Sequence, residues 1–244
     1  MNAALPIIQE LSIYDYIGLG MLILGWPIYD HFADSRRLDI PDFTCAAVKF
    51  RHEWMHRAVR RDPRIADTQI IAILTRNVGF FASTTVLILA GMVTLLGAGE
   101  RAHSVTYSLP FVTQTSLALW QAKMLIVTAL FAYAFFTLTW SLRQWNYCAI
   151  VLAATAFTDD DAVLDDYGGR AARLANLAGG HFNKALRAYY YALALIAWFV
   201  EPALFISATA LVLWVQFRRD FRSNTFRVLD AARTAPDARE PKGP

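Results

Sequence analysis

Lysine and arginine are missing from the first 35 residues, and cysteine occurs only at Cys45 and Cys148 in a chain of 244. The sequence also lacks a C-x-x-C pair, a Gly-Lys-Ser/Thr phosphate loop, a G-x-G-x-x-G turn and any internal repeat. Redox and nucleotide chemistry therefore lose the thiol pairs and backbone cradles that ordinarily announce them. No cofactor and no nucleic-acid partner is expected. A basic n-region with a small-residue cleavage site is lacking as well, so no removable signal peptide is expected.

Charged residues are scarce, at 18% against 56% hydrophobic, and the apolar residues come in blocks rather than interleaved with polar ones. That is the pattern of an integral membrane protein. Crossing a hydrocarbon core of about 30 Å takes roughly 20 helical residues. Tyr14 to Phe32, Ile70 to Ala98 and Leu117 to Leu142 meet this directly, and Ala188 to Phe217 is a fourth apolar run. The fold expected is all-α: a polytopic helical membrane protein with four or five membrane helices, the last run folding as a hairpin, plus a cytoplasmic amphipathic helix. Residues 1–225 are expected to form one membrane domain and 226–244 a disordered cytoplasmic tail.

Placement of the few positive charges orients the chain. The segment from Arg36 to Arg64 holds Arg36, Arg37, Lys49, Arg51, Arg57, Arg60, Arg61 and Arg64, whereas Gly99 to Ser116 has only Arg101. Basic residues are again frequent between Arg143 and Arg187 and from Arg218 onward. By the positive-inside rule the N-terminus lies outside and the C-terminus in the cytoplasm. Both cysteines then face the cytoplasm as reduced thiols. Ala and Arg richness with few Lys points to a GC-rich bacterial genome and an inner, plasma membrane.

Phe43, Ala47, Phe50, Trp54 and Ala58 recur at helical spacing within "FTCAAVKFRHEWMHRAVRR". This amphipathic helix suits either the cytoplasmic membrane surface or packing on the bundle. On the second membrane helix Arg76, Ser83, Ala90 and Gly97 fall every seven residues, with Asn77, Thr84 and Gly91 beside them. Small residues in one column let helices approach closely in lipid. A packing seam is the plainer reading, and a polar path lined by Asn77, Ser83 and Thr84 is its alternative. Gln121, Thr128 and Thr139 accompany a similar alanine column on the third helix. Asp159, Asp160, Asp161, Asp165 and Asp166 lack the order of a calcium loop and read as a solvated segment capping the next helix.

"HEWMH" matches H-E-x-x-H, in which two His one turn apart bind zinc and the Glu acts as general base. Lys49 and Arg57 bring positive charge to His52, Glu53 and His56, and no third-ligand motif follows. No metal is expected, and these three remain the weak candidates. No catalytic residue is assigned.

"RHEWM", "DPRIADTQIIAILTRNVGFFASTTVLILAGMVTLLG", "HFNKALRAYYYALALIAWFVEPALF" and "RRDFRS" together resemble the DUF599 family of uncharacterised membrane proteins over roughly residues 12 to 225. "FFASTT" is the most specific part. The resemblance implies a multi-helix membrane protein without an assigned activity, and its first block rests on Arg51, Trp54 and Met55 rather than on the histidines.

Glu201-Pro202 interrupts the last apolar run. A single helix from 188 to 217 would be about 45 Å long against a core of about 30 Å. Pro202 cannot donate an amide hydrogen and disfavours helix at Glu201. A hairpin is therefore expected, with Glu201 either a hydrated turn acid or a partly buried carboxylate needing Lys123 or a water-filled cavity. The function expected is a non-enzymatic scaffold, assembly or regulatory component with the lipid bilayer and a homo-oligomer or membrane-protein partner. The alternative is an oligomeric transporter or channel lined by polar residues such as Asn77, Gln121 and Glu201. A metalloprotease is the minor alternative.

Overall fold

A computed structural model describes residues 8–34 and 43–222. The expected tail at 226–244 lies outside the described residues, as does the side chain of Cys45. The protein is all-helical, with no strand among the described residues. Helices α1 (Ile13–Asp34), α2 (Phe43–Ala58), α3 (Ile65–Gly97), α4 (Gly99–Tyr107), α5 (Leu117–Ala153), α6 (Asp161–Ala197) and α7 (Pro202–Arg222) follow in order.

Local chemistry sets the helix ends. Ser116 caps α5 by accepting from the Leu119 amide at 3.2 Å, and Asp160 caps α6 by accepting from Ala162 at 2.9 Å. The acidic "TDDD" segment thus does start a helix. Pro202 opens α7 at the position where a missing amide hydrogen costs nothing. The preceding turn is held by Thr113, whose amide donates to the Val200 carbonyl at 2.9 Å. The last apolar run is therefore two helices, and the first of them is far longer than the sequence indicates, beginning at Asp161 rather than near Ala188.

Antiparallel α5 and α6 form the centre. One edge of α6 carries Gly168, Ala171, Ala172, Ala175, Ala178 and Gly179, all buried. That edge lets neighbours come within backbone reach: Ser141 of α5 donates to the Ala178 carbonyl at 2.8 Å, and a Cβ on Gly168 would stand 3.2 Å from the His56 Cα of α2. Two apolar cores result. Met55, Ala58, Val78, Leu138, Trp145 and the α6 alanines make one, where α2, α3, α5 and α6 meet. Leu22, Phe131, Tyr191, Leu195, Trp198 and Phe205 make the other, where α1, α5, α6 and α7 meet.

In the second core Phe205 is fully buried and stacks on Trp198 at 5.3 Å between centroids. A Cβ on Gly18 of α1 would stand 2.5 Å from the Phe205 ring, whereas one on Gly20 would meet nothing. Gly18→Ala is expected to lower stability by about 1–3 kcal/mol through overpacking. Gly20→Ala should be silent by the same thermal denaturation in detergent, and equal effects would contradict this packing.

Candidate functional site

Two helices, α3 and α5, are long and apolar enough to cross a membrane, and only 17% and 33% of their most apolar windows are buried within the chain. Phe80, Leu87 and Val93 of α3 and Phe136 of α5 stand exposed. Such exposed apolar faces suit contact with lipid.

Around these helices the ionisable side chains gather at two levels. At the α4 end, Asp15 is buried and accepts from the Ser12 amide and hydroxyl at 2.8 and 2.7 Å and from the Trp198 indole. Lys123 is buried beside it, donating to the Trp198 carbonyl at 3.0 Å with its ammonium 4.8 Å from the Trp198 ring centroid. At the other end, Arg187 lies against the Tyr29 ring and donates to Asp220 at 3.3 Å. The Tyr29 hydroxyl and Arg219 complete that carboxylate's shell at 2.7 and 3.0 Å. Between the two levels α1, α3, α5, α6 and α7 contain no charged residue over 16–29, 77–97, 124–142, 188–197 and 202–217.

Farther from α4, helix α2 is clamped to its neighbours. Asp67, fully buried at the start of α3, accepts from the Trp54 indole at 2.8 Å and from Arg61 at 2.7 Å. His56 meets Asp165 at 3.1 Å, and Arg60 donates to Asp165 and Asp161 at 2.8 and 3.1 Å. Arg60 and then His56 hold the Asp165 carboxyl below its ordinary range.

Next to this clamp a cavity of about 260 Å³ opens between α3 and α6. Trp145 of α5 lies at its base, Leu74, Asn77 and Phe81 line one wall, and Gly179, Phe182 and Asn183 line the other. Arg51 of α2 reaches in. Its guanidinium lies so close to α6 that a Cβ on Gly179 would be 2.5 Å from Nη2. Burial lowers the Arg51 pKa, and no carboxylate among the described residues offsets it.

The residues singled out from sequence fall in separate places. Asn77 lines the Arg51 cavity. Ser83 and Gly91 are exposed on α3, no side chain comes within 4 Å of a Cβ on Gly91, and the Thr84 hydroxyl bonds its own helix at the Phe80 carbonyl. Within one chain this column is therefore no packing seam. Gln121 lines an open groove at the α4 end. Glu201 is exposed at the turn and Pro202 half-buried. Lys123 is engaged by Trp198 rather than by Glu201. His52 and His56 stack at 4.2 Å, Glu53 pairs with Arg57 at 3.4 Å, and no group of three metal-ligating side chains occurs among the described residues.

The class of protein defined by these features is an all-helical bundle carrying two apolar helices of membrane-crossing length. The chain belongs to the DUF599 family, described as proteins of unknown function, whose model matches residues 17–225. No curated protein and no solved structure matches it.

Proposed function

We propose that this protein is a multi-pass membrane protein of the plasma membrane, in bacteria the inner membrane, acting as a non-enzymatic scaffold, assembly or regulatory component. The observation that supports a five-fold crossing by α1, α3, α5, α6 and α7 is the charge-free layer bracketed by the Asp15–Lys123 and Arg187–Asp220 groups. Charged side chains at membrane depth are costly and are kept to the margins or paired. The α4 end is the outer one by the positive-inside rule, which puts α2, the α5–α6 connection and the chain after α7 in the cytoplasm. In this arrangement α2 lies at the cytoplasmic surface while packed on α6.

Assembly is favoured over transport by the way the layer is filled. Phe131, Leu195, Trp198 and Phe205 fill the interior between α1, α5, α6 and α7 with apolar side chains, among which Tyr191, Thr209 and Gln216 are buried. The small column of α3 faces away from the chain's other helices, as a contact for a second membrane helix would.

Purification in mild detergent tests the reading. A second chain in fixed ratio is the expected result for an assembly component, whether a copy of this protein or another. Gly91→Leu is expected to leave the thermal midpoint unchanged and to shift the assembled state by size-exclusion light scattering. A wild-type monomer that moves solute across proteoliposomes would overturn the scaffold reading.

A further inference from the structure

The Arg51 cavity has a defined depth. Gly97 ends α3 at the α4 level, and Asn77 lies 20 residues earlier, about 30 Å down the helix at about 1.5 Å per residue. Gly179 lies 18 residues before the end of α6 at Ala197, about 27 Å by the same rise. The α3 wall puts the cavity one hydrocarbon thickness from the opposite end, and on α6 Gly179 lies beyond Arg187 from that end, so the cavity sits at the cytoplasmic edge of the charge-free layer on the reading above.

Its lining is mixed. Phe81 packs edge-on to both Phe182 and Tyr189 at 5.7 and 6.0 Å, and exposed Phe80 lines the cavity with them. The guanidinium of Arg51 and the side chains of Asn77 and Asn183 are its polar members. A guanidinium offers a rigid fork of donors suited to phosphate oxygens, and carboxamides add further donors. The buried cations Arg187 and Lys123 have recorded partners, Asp220 and the Trp198 carbonyl, whereas Arg51 is half-buried. Arg51 has none among the described residues, and α6 carries glycine where any side chain would displace it.

We infer that this cavity binds a phosphate group, with Arg51 as its cationic anchor and Asn77 and Asn183 as hydrogen-bond donors. The aromatic residues lining the cavity beside Arg51 fit a phosphate borne on a lipid: the headgroup meets Arg51 and an acyl chain lies along Phe80, Phe81 and Phe182. Basic pockets between helices at the cytoplasmic face are suited to anionic headgroups. The lipid source rests on the membrane reading, whereas the anion site rests on the cavity alone.

The test uses the full chain in neutral detergent, following its thermal midpoint during titration with phosphatidylglycerol, phosphatidylcholine or inorganic phosphate. Phosphatidylglycerol is expected to raise the midpoint saturably, and phosphatidylcholine is not. Arg51→Gln should weaken the response about tenfold or more, the loss expected when a charge-assisted hydrogen-bond partner is removed. Lys49→Gln, an exposed cation on the same helix, should titrate like wild type. Should Arg51→Gln fail to fold, Gly179→Ala serves instead, since it keeps every charge while displacing the guanidinium. A midpoint raised by inorganic phosphate at the same affinity, and lost in Arg51→Gln, would keep the anion site and assign it a soluble ligand. Equal titration of wild type and both variants, or no response to any of the three, would overturn the site. Recovery of the chain in the soluble fraction without detergent would instead overturn the membrane reading and leave the phosphate titration to be scored alone.

Discussion

Arg187→Ala is expected to lower the stability of the folded chain by about 3–5 kcal/mol, the cost of leaving one member of a buried ion pair alone. Both side chains are nearly inaccessible, at 5% for Arg187 and 6% for Asp220, so water cannot replace the lost partner. Asp220 would retain the Tyr29 hydroxyl and Arg219, which places the expected loss toward the lower end of that range. Asp220→Ala should also be destabilising, because Arg187 and the Tyr29 hydroxyl both lose this buried acceptor. Replacing both at once, as Arg187→Met with Asp220→Leu, should cost much less than the sum of the single changes, since neither charge is then left buried. Thermal unfolding in detergent measures all three. Additive losses would show that the pair is not coupled.

The second large effect is expected at Asp67, whose carboxylate joins α3 to α2 through Trp54 and Arg61. Asp67→Ala leaves the Trp54 indole without its acceptor and frees Arg61, for an expected loss of about 2–3 kcal/mol. Arg61 is 47% exposed, so solvent screens its share and most of the loss comes from the indole and the buried site. Asp67→Asn keeps an acceptor for Trp54 and should recover about half of it. Because α2 carries Arg51, faster amide exchange in α2 should accompany the alanine change. An Asp67→Ala protein with wild-type stability and unchanged exchange would mean that the clamp contributes nothing.

Much of this fold is written in the order of apolar and polar residues. The apolar blocks mark α1, α3 and α5 because each must be continuous, and Pro202 marks the turn because its ring forbids the helix from running on. The real length of α6 is hidden. Its first half, "DAVLDDYGGRAARLANLAGG", is rich in glycine and charge, and it is helical because α2 and α5 lie against its small edge. That support comes from elsewhere in the chain and leaves no local trace. The column of Ser83, Ala90 and Gly97 is legible as a pattern, but a pattern on a helix does not say which way it faces, and here it faces away from the bundle. Arg51, Asn77 and Asn183 come from "RHEWM", "TRNVGFF" and "HFNKALR", segments far apart in sequence. They become a site only when α2 is laid across α6.

The claim on which the rest depends is that five helices cross a membrane with the α4 end outside. Replacing Cys45 and Cys148 by serine and then introducing single cysteines at Ser104 in α4, Asp159 before α6 and Ser223 after α7 allows labelling of intact cells with a membrane-impermeant maleimide. Ser104→Cys is expected to react from outside, while Asp159→Cys and Ser223→Cys react only after the membrane is opened. Labelling of Ser223→Cys in intact cells, with Asp159→Cys still protected, would show that α6 and α7 together cross only once and would contradict the five-helix arrangement.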